Sequence, residues 1–210
     1  MNESGAVLAF ALTALVIEIT PGPNMTYLAA LSLSSGMRTG FAAVAGIALG
    51  LSVYGLIATF GLTEVIHDSS LLYGLLRWCG VLFLLWLAWE SWTSGEAASS
   101  EELDERPWPA FRRGLITNLL NPKAAVFYIA VLPEFIRPDG GSVMRQTLVL
   151  SIIYVAIATA IHAIIVALAG SLQSTIVTAN NRPAIRRGFA IALVGIAVWF
   201  ALTTGRSGAD

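Results

Sequence analysis

Two short runs hold most of the chemistry this sequence can offer. The first is Glu18 with Pro21-Gly22-Pro23-Asn24-Met25-Thr26; the second is Asn118, Asn121, Pro122 and Lys123. Both lie inside long apolar stretches. Pro21 and Pro23 lack backbone N–H donors and Gly22 tolerates angles other residues avoid, so an i→i−4 ladder is interrupted there. The carbonyls of Val16 to Ile19 are expected to lose their partners. A second half-helix is expected to begin near Asn24, leaving the N–H groups of Met25, Thr26 and Tyr27 unpaired. A helix N-terminus carries about half a positive charge and suits a carboxylate. Asn118 and Asn121 add amide donors and acceptors, Pro122 interrupts a second ladder, and Lys123 adds a cation.

Lys123 lies 12 positions after Phe111, deep in its apolar stretch. A lysine at the bilayer centre costs roughly 2.5–3.5 kcal/mol, so it is expected to face a cavity or a partner. The plainer reading is an ion pair or carbonyl contact that only fixes helix packing. Glu18 is the only acid in its broken stretch. It either loads and releases a coupling proton or sits permanently protonated against the freed carbonyls. His162 reads as an interior histidine satisfied by its neighbours, with a pathway-lining role as the alternative.

The elements that must position these groups are membrane helices. Of 210 residues, 56% are hydrophobic and 12% charged, about half the charge of a soluble domain. Helices that are apolar all round belong in lipid or a very large core. Net charge is −1, with no basic footprint for nucleic acid. One cysteine and two histidines offer no disulfide and no zinc site. No H-E-x-x-H and no paired intramembrane aspartates occur, so an enzyme is not expected, and no cofactor or metal is called for.

Six stretches reach the length of about 20 residues that a bilayer core requires. They run over 6–35, 40–62, 71–92, 111–136, 144–172 and 185–203, the first broken at Pro21-Gly22-Pro23 and the fourth at Asn121-Pro122. The fold class is therefore all-α integral membrane, with six transmembrane helices. A polar acidic linker, 94–110, separates a first three-helix repeat, 1–93, from a second, 111–206. Its Pro107-Trp108-Pro109 end reads as loop. Three helices per half make the second half enter from the opposite side, as in an inverted repeat. Corresponding Gly/Pro interruptions are a pointer to a transporter site. Gly46 and Gly50, with Ala42 and Ala43, suggest close helix packing, and exposed Gly/Ala faces would allow a homodimer. Arg38, Arg106, Arg112, Arg113, Arg182, Arg186 and Arg187 fall on one side; Arg77, Arg137, Arg145 and Arg206 fall on the other. The richer side is expected in the cytoplasm, with both termini on the periplasmic or exterior face.

The run Pro21-Gly22-Pro23-Asn24, with Ser34-Ser35-Gly36-Met37-Arg38-Thr39-Gly40 and Gly46-Ile47-Ala48-Leu49-Gly50, resembles the first half of the LysE/RhtB amino-acid exporters. Phe111, Gly114, Asn118, Asn121, Pro122 and Lys123 match the spacing F-x-x-G-x-x-x-N-x-x-N-P-K of that family, and Leu132-Pro133 with Phe135 resembles its fourth-helix exit. The resemblance covers nearly the whole chain. It implies a multi-pass bacterial inner-membrane protein that exports amino acids or close derivatives on the proton-motive force. Its partners would be a small amino-acid substrate and membrane lipid. The site positions it implies are Pro21, Gly22, Pro23, Asn24, Asn118, Asn121, Pro122 and Lys123. Many family members carry a neutral residue where Glu18 stands. A cation or metal-ion exporter of the same architecture is the alternative. Divalent cations want several carboxylates, and Glu18 is the one acid clearly within the membrane.

Overall fold

A computed structural model describes residues 3–20, 22–60, 107–137, 140–176 and 182–203, with scattered positions between 78 and 92. The described chain is helical, without a strand among the described residues: α1 (Glu3–Ile19), α2 (Pro23–Thr59), α3 (Pro107–Leu119), α4 (Pro122–Val126), α5 (Val143–Ile176) and α6 (Arg182–Thr203). Most of the third expected stretch, 71–92, lies outside the described residues, although Val81 and Ala88 within it are helical and buried. The expected linker also lies outside them up to position 106. From Pro107 onward the loop reading is corrected: α3 already begins there. The first N–H groups of any helix lack an intrahelical partner, so prolines in its first turn cost little.

The uninterrupted appearance of α2 conceals a reversal. Gly36 has φ 85° and ψ 172°, a left-handed-side conformation suited to glycine. In a straight helix, Ser32 and Gly40 would stand about 12 Å apart. Here a Cβ at Gly40 would collide with Ser32 Oγ. Residues 23–35 and 37–59 are thus two limbs of a helical hairpin. The second limb, of a length to cross about 30 Å of hydrocarbon, corresponds to the expected second stretch.

The second limb packs on α3 with backbones in contact. A Cβ on Gly46 would strike the Phe111 carbonyl, and one on Gly114 would strike that of Ala43. Lipid tails are as apolar as leucine, so helices associate in a bilayer through such close packing and hydrogen bonds. Hydroxyls that would be costly in lipid turn back on their own helices, as Ser52 Oγ donates to Ala48 O at 2.8 Å and Thr117 Oγ1 to Arg113 O at 2.7 Å. Leu12, Val16, Leu56, Ile152, Ile164 and Leu168 remain exposed on the outer faces, as lipid-facing residues do. Among the described residues, α2 and α5 are long and apolar enough to cross a membrane, and the pair α3 with 123–135, bent by 50°, adds a third such segment if taken as one.

After α4 the helix widens to a π turn (Phe127–Val131) and then tightens to a 3₁₀ turn (Leu132–Phe135). Pro133 has no N–H for an α bond and its ring would clash with the carbonyl of Ile129; the N–H of Leu132 instead bonds Phe127 O. This irregular segment carries Phe127 and Tyr128 into an aromatic core. Phe127 stacks on Tyr154 with ring centres 3.6 Å apart, and Tyr128 meets Tyr154 edge-on at 5.4 Å. Tyr154 is thereby locked from two sides.

Candidate functional site

Each proline break ends in the same local device. Gly22 (φ −154°, ψ 179°) and Asn121 (φ −85°, ψ 108°) are extended N-caps, each followed by a proline in the first turn. The structural counterparts are therefore Pro23 and Pro122. Asn121 caps its helix with its side chain, Oδ1 accepting the N–H of Lys123 at 3.0 Å. Gly22 has no side chain, and its carbonyl accepts the N–H of Thr26 at 3.1 Å. This corrects the expectation that the Thr26 N–H is unpaired. The helix begins at Pro23, one residue early, so the donors without an intrahelical partner are those of Asn24 and Met25. The Tyr27 N–H, four residues after Pro23, likewise falls within the helix ladder.

The fold brings the two breaks together. Lys123 Nζ donates to Thr20 O at 2.9 Å. Its aliphatic stem passes Gly22, where a Cβ would sit 3.3 Å from Lys123 Cδ. Asn24 Nδ2 donates to Asn118 Oδ1 at 2.9 Å, and Asn118 is fully buried against Gly50, where any Cβ would crowd its amide. Asn24 Oδ1 and Asn118 Nδ2, an acceptor and a donor, have no hydrogen-bond partner among the described residues.

Glu18 lies at the centre, 4% exposed. Its Oε1 accepts the hydroxyl of Tyr154 at 2.7 Å and stands 3.9 Å from Lys123 Nζ. Its Oε2 stands 3.6 Å from His162 Nε2. Tyr154 and His162 flank the midpoint of α5, so the cluster is near the middle of that span. Glu18, Gly22, Asn24, Met25, Leu51, Asn121, Lys123, Ala124, Tyr154 and His162 enclose a cavity of ≈ 10 Å³ open to a water centre, room for about one water molecule. An amino acid enters such a space only if the helices part.

Of the sequence-derived site residues, Gly22, Asn24, Met25, Asn121, Lys123 and Glu18 line this cavity. Asn118 joins through Asn24, and Pro23 and Pro122 start the helices that position the others. Thr26 falls elsewhere, in an apolar cleft with Ala29, Ala30 and Ile165. Pro21 lies outside the described residues. His162 is not satisfied by its neighbours: neither ring nitrogen has a hydrogen bond among the described residues. Sequence reasoning passed over Tyr154. The signal was a polar stripe in the fifth stretch, since Thr147, Ser151, Tyr154 and His162 recur at helical spacing and all are buried.

A profile of the LysE type translocator family matches residues 15–204. An uncharacterised membrane protein of Vibrio cholerae is 30% identical over 135 residues, which are 62% of this chain and 65% of the relative. A homoserine/homoserine lactone efflux protein of Salmonella typhimurium is 29% identical over 133 residues, again 62% of this chain and 65% of its own length. The protein of the same description in Salmonella typhi is 29% identical over the same extent. The matches thus span just under two thirds of these relatives. No solved structure matches.

Proposed function

The chain belongs to the LysE type translocator family, and on that premise we propose that it is a secondary active exporter of amino acids or close derivatives in the bacterial inner membrane. The observation that carries this reading is the Glu18–Lys123 pair, 3.9 Å apart and held between two broken helices. Intramembrane charges are costly and mark transport pathways. Broken helices at matching places in two halves mark a transporter's midplane site.

The groups present suit a zwitterion. Lys123 and the Asn24 and Met25 N–H groups attract a carboxylate; Glu18 and the Asn24 acceptor attract an ammonium. Substrate binding would then replace the internal Glu18–Lys123 contact with two contacts to the ligand. Homoserine, named in the Salmonella relatives, is the first substrate to try. The coupling ion would be a proton carried by Glu18. Alternating access would come from rocking one three-helix repeat against the other. The cation reading is disfavoured because Lys123 shares the carboxylate a cation would need.

The test is efflux of labelled homoserine and a panel of other amino acids from loaded proteoliposomes, with and without an imposed pH gradient. Efflux stimulated by the gradient is expected for at least one of them. Efflux of divalent metal with no amino-acid efflux would favour the cation reading.

A further inference from the structure

We propose that Glu18 and His162 hold the coupling proton as a pair, His162 taking one carboxylate oxygen while Lys123 competes for the other. The proposal deepens the exporter reading above and rests on it for its role in transport.

The division of the carboxylate is geometric. Oε1 is occupied, receiving the Tyr154 hydroxyl at 2.7 Å and facing Lys123 at 3.9 Å. Oε2 faces His162 Nε2 at 3.6 Å. A shift of about 0.5 Å would make that approach a hydrogen bond. His162 is 1% exposed, with no hydrogen bond to Nδ1 or Nε2 among the described residues. A buried polar nitrogen without a partner is costly, so each one in a native structure calls for a specific explanation, and a proton-carrying role is one. Both residues line the same small cavity, which gives a proton a place to enter.

Among the described residues, the remaining titratable groups around the pair are few. Lys123 faces it from α4, Tyr154 from α5 and Tyr128 from the π turn. From α2 the cavity is lined by Asn24, Met25 and Leu51, which do not titrate. With Glu18 and Lys123 ionised and His162 neutral, the cluster carries no net charge. A proton arriving from the exterior forms an N–H bond at His162 Nε2. That bond breaks as an O–H bond forms at Glu18 Oε2. The neutral carboxyl no longer holds Lys123, so the tie between the breaks loosens. When the O–H bond breaks and the proton leaves toward the cytoplasm, the carboxylate recovers Lys123. One proton crosses and no electrons are exchanged. Tyr154, bonded to Oε1, is a positioning residue that keeps Oε2 turned to His162.

The test is pH-difference infrared spectroscopy on the purified full chain, which reads protonation without any substrate. A His67→Gln background with isotopically labelled histidine leaves His162 as the one labelled imidazole. The Glu18 carboxyl band is assigned by its loss in Glu18→Gln. The pair predicts that imidazole and carboxyl bands change together, and that His162→Gln moves the Glu18 midpoint by about one pH unit or more. Bands that titrate independently, or an unmoved midpoint, would overturn it. If His162→Gln does not fold, the labelled protein alone decides. Coupled bands in a protein that exports none of the amino acids tried would uphold the pair and reject the exporter reading. Uncoupled bands in a protein that does export would reject the pair alone.

Discussion

Lys123 Nζ and the carbonyl oxygen of Thr20 lie 2.9 Å apart across 103 positions of sequence. A lysine from the second break thus satisfies the Thr20 carbonyl at the first, whereas the carbonyls of Val16 and Ile17, expected to lose their partners, accept from Thr20. The same ammonium faces Glu18 at 3.9 Å. One side chain therefore ties two broken helices and neutralises the buried acid between them. Irregular backbone at membrane depth survives only against protein or water, and here part of that cover is Lys123.

Lys123→Ala is expected to abolish most export. Glu18 would keep Tyr154 but lose its cation. Efflux from proteoliposomes and thermal unfolding in detergent, measured on the same preparation, separate transport from folding. Normal export by a well-folded variant would remove Lys123 from the site.

Tyr154→Phe keeps the ring that stacks on Phe127 and removes only the hydroxyl on Glu18. A hydrogen bond to a charged group contributes about 1.5–3 kcal/mol. The variant is expected to lose stability in that range and to show an altered pH profile of export. An unchanged pH profile would mean that the hydroxyl does not influence the acid.

Gly46→Ala is expected to destabilise by about 1–3 kcal/mol, because its Cβ meets the backbone of Phe111, which cannot rotate away. Gly195, whose added Cβ would meet nothing within 4 Å, is the control, and Gly195→Ala should be neutral or stabilising by up to about 1 kcal/mol, the helix-propensity gain. Detergent unfolding of both variants checks the contrast; equal effects would contradict the close crossing.

Both termini are expected to face the exterior. The hairpin apex at Ser34–Gly36 contacts Gln173 near the end of α5, so Arg38 stands at that end of the bundle. α3 runs parallel to the second limb, since Gly114 meets Ala43 and the Tyr54 hydroxyl donates to Leu119 O, so Arg112 and Arg113 lie toward the same end. Phosphatase and fluorescent fusions at Asp210 report the side directly. A fluorescent, phosphatase-negative C-terminus would reverse the orientation.

The breaks were legible because proline and glycine act locally: a missing N–H at Pro23 or Pro122 interrupts a ladder whatever surrounds it. The Gly46 packing was legible for a similar reason, since a small residue in an apolar helix has few other uses. Local rules misjudged Pro107 and Pro109, because proline disrupts a helix interior but not its first turn. They also misplaced the start of the second half-helix by one residue, which changes which donors are free. The partners of Glu18 were harder to see. Tyr154 and His162 lie 136 and 144 positions away, and only the packing of α5 on α1 and α2 brings them to the acid. Their shared helix face was visible, but not what that face would meet.

The central claim is that Glu18 carries the proton that drives export. Glu18→Gln keeps the shape and an acceptor for Tyr154 but cannot titrate. The most direct measurement compares two rates in proteoliposomes containing this variant: exchange of labelled substrate at equal concentrations, and accumulation driven by a pH gradient. Exchange that persists while accumulation fails is the predicted result. Accumulation equal to that of the unaltered protein would contradict the claim, and loss of both would make Glu18 a substrate ligand instead of the proton carrier.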